Sequence, residues 1–159
     1  MPSAFALPTK RVKLSVMPAK SSAKSLHDVV EEVGLYPPEA YLFVRQGLTF
    51  TVEKVHEKTD PQASHHVGGR ELCEGLRELA LQQWGLLARM VLSRWNITST
   101  MDFGRIVFAL VDHDLLQKTE EDQVEDFRQV YDFKAAFDAS YRIEPKIIND
   151  QPKRAERKA

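Results

Sequence analysis

Cysteine is nearly absent. Cys73 is the only one in 159 residues, which excludes an internal disulfide and a cysteine-based zinc cage, and fits a reducing compartment. Long apolar runs are missing too, and nothing approaches the roughly 18 residues that a membrane span requires. Lys10, Arg11 and Lys13 interrupt the N-terminal stretch where a secretory signal would need a continuous apolar segment. A soluble, cytoplasmic protein without a membrane partner is therefore expected. Phosphate-cradling and nucleophile-elbow patterns are also lacking, since Gly68-Gly69 alone forms neither a P-loop nor a dinucleotide fingerprint. No cofactor is expected, and an enzyme is not the favoured reading.

What is present suits one ordinary globular domain. The hydrophobic fraction is 43% and the charged fraction 28%, enough to bury a core without metal or disulfide staples. The net charge of −1 conceals an asymmetry. Residues 1–24 hold five basic residues and no acid, and residues 149–159 hold four basic and two acidic ones. Between them, residues 25–148 hold 13 basic against 21 acidic residues, a net −8. An acidic body repels nucleic-acid phosphate, whereas basic ends attract it weakly. The expected organisation is a basic leader without fixed structure over 1–24, a single helical domain over 25–148 and a basic tail over 149–159. Met17-Pro18 reads as a second possible translation start, which would make part of the leader an artefact of the assigned start.

Helix signals recur along the body. Ser25-x-x-Asp28 is a capping-box pattern ahead of Val29, Val30 and Val33, and Gly34 suits the residue after that helix. Pro38 opens a second helix over 38–58, where Tyr41, Val44, Leu48, Thr51, Val52 and Val55 repeat at helical spacing. The β-branched run around 49–52 leaves a strand there as a minor alternative. A loop over 59–69 precedes a third helix over 70–84, and Gly85 bends or ends it before a strongly apolar fourth helix over 86–95. Ser99-x-x-Asp102 caps a fifth helix, over 101–113, with Phe103, Ile106, Val107 and Leu110 on one face and Gly104 permitting a close helix approach. Residues 115–118 and 127–131 are expected as two short strands joined by an acidic loop, followed by a helix over 133–141 and an extended segment over 143–148. The fold class is mainly α with a small C-terminal β-hairpin, an order compatible with a winged helix.

Few constellations carry chemistry. His65-His66, His56 and Asp112-His113-Asp114 lack the spacing of a zinc site. The acidic cluster Glu120, Glu121, Asp122, Glu125 and Asp126 lacks the glycine and 12-residue spacing of a calcium loop. On a wing it would repel DNA, so it is a candidate surface for a basic protein partner. Cys73, with His66 as its nearest candidate base, would need a depressed pKa to act as a nucleophile, and Glu71 and Glu74 oppose that. Arg77 is the third functional candidate, although the alternation of Arg70 and Arg77 with Glu71, Glu74 and Glu78 is explained by surface ion pairing. Trp84 and Trp95, which bracket the fourth helix, are expected at the core or its edge.

Three segments carry a resemblance: Tyr36-Pro37-Pro38-Glu39-Ala40-Tyr41, Glu71-Leu72-Cys73-Glu74-Gly75-Leu76 and Asp102-Phe103-Gly104 with Ile106-Val107-Phe108. Asp126-Phe127 and Val130-Tyr131-Asp132-Phe133 extend it. Together they resemble a family of small uncharacterised proteins reported mainly from planctomycetes and verrucomicrobia, over about residues 26–138. The resemblance implies a bacterial, soluble protein and transfers no catalytic residue. It also implies Gly after the tryptophan where this chain has Asn96, a residue that tolerates the same left-handed turn. The expected function is a non-catalytic protein-interaction module, an adaptor or regulator. The alternative is a nucleic-acid-associated regulator that touches phosphate through its basic tails.

Overall fold

A computed structural model describes residues 25–58, 67–118 and 122–138, together with the backbone of Ser15–Val16. Capping sets the helix starts. In α1 (Leu26–Val33) the Ser25 amide donates to the Asp28 carboxylate at 2.8 Å, and Gly34 closes the helix at φ 64°. Helix α2 (Pro38–Lys58) begins on its proline and stays helical through Thr49, Phe50, Thr51 and Val52. Helix α3 (Gly69–Trp84) starts where the Glu71 carboxylate accepts from the Gly68 amide at 2.9 Å. A 3-10 turn, Gly85–Leu87, leads into α4 (Ala88–Arg94), so the expected fourth helix is split at its first turn. Helix α5 (Thr100–Asp112) is capped by Asp102, whose carboxylate accepts from the Thr98 and Ser99 amides at 2.9 and 3.0 Å. Helix α6 is Phe133–Asp138.

Helices α2 and α3 approach closely because each presents a glycine to the other's bulk. A Cβ on Gly47 would overlap the Leu76 side chain, and one on Gly75 would overlap the Thr51 hydroxyl. Tyr41, Val44 and Leu48 from α2, Leu72 and Leu76 from α3 and Phe103, Ile106 and Leu110 from α5 are buried together in one core. At the core's edge Phe43, Trp84 and Trp95 form an aromatic cluster with centroid separations of 5.0, 5.9 and 5.3 Å. The chain turns sharply after Trp95 because Asn96 takes φ 62° and donates from Nδ2 to the Leu35 carbonyl at 3.1 Å. No helix among the described residues is long and apolar enough to cross a membrane.

The expected hairpin does not form. Leu116–Gln117 (β2) pairs antiparallel with Ser15–Val16 (β1), a segment assigned to the unstructured leader, in the register Ser15 with Gln117 and Val16 with Leu116. The second expected strand, over 127–131, is instead the end of a 3-10 turn, Val124–Phe127, and the bend that follows it, with Gln129 at φ 48°. Tertiary contacts explain the difference. The Phe127 ring is fully buried in the notch left by Gly104, where a Cβ would lie 2.8 Å from the ring. The Thr100 hydroxyl donates to the Phe127 carbonyl at 2.6 Å and accepts from the Val130 amide at 3.2 Å. Backbone groups that a ladder would need are thus taken by the start of α5. The winged-helix order falls with the hairpin. Residues 139–148 of the expected domain and both basic ends, apart from Ser15–Val16, lie outside the described residues.

Candidate functional site

The expected site residues do not come together. Cys73 is fully buried in α3, and burial, aided by the Glu74 charge, pushes its thiol far above the ordinary range. No thiolate nucleophile is available there, so Cys73 is a core residue. Arg77 spans helices, donating from Nε to the Ala136 carbonyl at 3.1 Å with Glu74 3.9 Å away, and so ties α3 to α6. His66 lies outside the described residues, as do Glu120 and Glu121. Of the remaining acids Asp122 is buried, which removes it from any exposed acidic surface. Glu125 and Asp126 face solvent, and Asp126 accepts from the Gln123 amide at 3.1 Å.

Two buried polar arrangements join helices. Tyr36 donates to Asp102 Oδ1 at 2.6 Å, and Arg105 reaches the same oxygen at 3.1 Å. Burial alone would raise the Asp102 pKa, but hydrogen bonds from Tyr36, Thr98 and Ser99 and the Arg105 charge together hold it below the ordinary carboxylate value. His113, at the end of α5, places Nδ1 2.8 Å from the Ala109 carbonyl and Nε2 2.7 Å from the Glu32 carboxylate. Each arrangement fastens α5 to the N-terminal helices.

Three of the surface depressions among the described residues have similar volumes, about 500, 540 and 580 Å³, so size does not choose among them. Chemistry does. Among the described residues five large apolar side chains are exposed, and three of them fall within five positions: Leu86 at 53%, Leu87 at 55% and Met90 at 57%. They occupy the outer side of the 3-10 turn and of α4, whose inner side buries Ala88 and Leu92. The outer side is therefore mixed, with Leu86, Leu87 and Met90 exposed among Arg89, Ser93 and Arg94. The smallest of these three is lined by Leu86, Arg89, Met90, Ser93 and Arg94, at steps of three, four, seven and eight from the first, and by Asp138 from α6. Arg89 reaches the Asp138 carboxylate at 2.8 Å.

Gly85 aims this face. Its φ of 51° and ψ of −123° form a corner that side-chain-bearing residues rarely adopt, and the corner turns Leu86 and Leu87 outward. The signal was present in the sequence, where the run Leu86-Leu87-Ala88 to Met90-Val91-Leu92 is too apolar for one buried stripe. Periodicity identifies it as a helix but does not say which side stays uncovered. No family model matches the chain, and neither curated proteins nor solved structures give a match.

Proposed function

We propose that this chain is a non-catalytic protein-interaction module, an adaptor or regulator, and that its contact surface is the outer face of the Gly85–Leu87 turn and α4. One observation supports the reading: Leu86 and Leu87 in the turn and Met90 in α4 are all more than half exposed, next to a helix side that buries Ala88 and Leu92. Exposed apolar side chains clustered on one face mark contact surfaces on soluble domains. The acidic segment supports it less, because Asp122 points inward and Asp126 is engaged in its own turn.

The test is recovery of partners by the tagged full-length chain from the cells that encode it. The controls are a Leu86→Ser/Met90→Ser variant and a Glu125→Lys/Asp126→Lys variant. A protein partner lost with the first variant and kept with the second supports this surface. The opposite pattern returns the site to the acidic segment. Recovery of nucleic acid in place of protein, insensitive to both variants, refutes the reading.

A further inference from the structure

Resting on that reading, we infer that the outer face of α4 receives an acidic amphipathic helix from another protein. The partner's apolar ridge would seat on Leu86 and Met90, with its carboxylates beside Arg94.

Charge complementarity carries the choice of occupant. Between Glu78 and Asp102 the chain runs 23 residues without a single acid and includes Arg89 and Arg94, although residues 25–148 as a whole carry net −8. The candidate face sets two arginines against one acid, Asp138, and so is net positive on an acidic body. Within it Asp138 neutralises Arg89. No ion pair to Arg94 is found among the described residues, and its side chain is exposed. Met90 and Arg94 are one turn apart, so a partner helix lying along α4 meets an apolar contact and then a cation. Residues 86–94 span about 13 Å at about 1.5 Å per residue, which matches two to three turns of a docked helix.

The same observations disfavour other occupants. The chain following Asp138 carries six basic and three acidic residues over 139–159, so its charge is wrong for a self-docked tail. A bilayer is a poorer fit because α4 is only seven residues long, short for an interfacial helix, and a single cation such as Arg94 contributes only about 1 kcal/mol at an anionic surface. Three exposed apolar side chains fall well short of the roughly 800 Å² per partner of a stable dimer.

The experiment is selection of a displayed library of 16-residue helical peptides against the full-length protein, repeated against the Met90→Ser and Arg94→Glu variants. Circular dichroism first establishes that each variant is folded, which the exposure of both side chains favours. The expected winners carry apolar residues at steps of three and four, flanked by Asp or Glu. Met90→Ser weakens them roughly ten-fold. Arg94→Glu shifts the selected flanks from acidic to basic. Winners without acidic flanks, or winners indifferent to both substitutions, overturn the inference, as does an empty selection. Binding to phosphatidylserine vesicles that depends on Met90, or a Met90-dependent dimer in sedimentation, also overturns it in favour of lipid or self-association. If a native partner is lost with Leu86→Ser/Met90→Ser while the selected peptides lack acidic flanks, the interaction surface stands and only the partner chemistry fails.

Discussion

Tyr36 and Asp102 lie 66 residues apart, and the tyrosine hydroxyl meets the carboxylate at 2.6 Å in a buried setting. The same carboxylate caps α5, so one side chain both starts a helix and fastens it to the loop between α1 and α2. The Asp102 pKa is lowered in the fold, whereas the unfolded chain has the ordinary value of about 3.9. Asp102 therefore contributes stability that is fully present above about pH 4 to 5 and is lost as pH falls through the unfolded and then the folded value. Asp102→Asn is expected to cost about 2 kcal/mol at neutral pH and to flatten the acid limb of stability. Urea titrations at pH 7 and pH 3 test this, and an unchanged acid limb would sink the assignment.

Gly75→Ala places a methyl group against Thr51, and overpacking of this kind costs about 1–3 kcal/mol, outweighing the helix propensity that alanine adds. Adding Thr51→Ala should recover much of the loss. A double-mutant cycle in urea gives the coupling, and strict additivity would mean that the two helices accommodate the methyl elsewhere.

Tyr41 is fully buried, its ring edge-on to Tyr36 at 6.3 Å, and its hydroxyl has no hydrogen-bond partner among the described residues. Removing an unsatisfied buried hydroxyl is neutral or stabilising by up to about 1 kcal/mol. Tyr41→Phe should therefore melt at the same temperature as the parent or higher. A clear drop in Tm would assign the hydroxyl a hydrogen bond to something outside the described residues.

Thr100→Val keeps the shape of the side chain but removes the hydroxyl that serves both the Phe127 carbonyl and the Val130 amide. The expected cost is about 1–3 kcal/mol. Hydrogen exchange locates it, because the Val130 amide should lose protection while the middle of α5 keeps its own.

The helices were legible where local chemistry decides. Ser25 with Asp28 and Ser99 with Asp102 announce helix starts through contacts three residues apart, and Pro38 and Gly34 work within one turn. The region after α5 was not legible, because its conformation depends on Thr100 and Gly104, more than 20 residues upstream of Phe127. Local alternation around Phe127 and Val130 suggests a strand, yet burial of the Phe127 ring and capture of its carbonyl favour a 3-10 turn. The acidic cluster was visible as composition, but composition does not reveal that Asp122 turns inward. Cys73 beside a stripe of leucines could equally have been edge or interior, and the close approach of α2 and α3 at Gly75 places it inside.

The pairing of Ser15–Val16 with Leu116–Gln117 covers the edge of a strand. A variant shortened by residues 1–16 would keep the described helices but lack the strand that covers the Leu116–Gln117 edge. Its bare amides and carbonyls would then be open to recruitment by any extended chain, including that of a neighbouring molecule. Two paired residues thus separate proteins with the same described helices but different tendencies to self-associate.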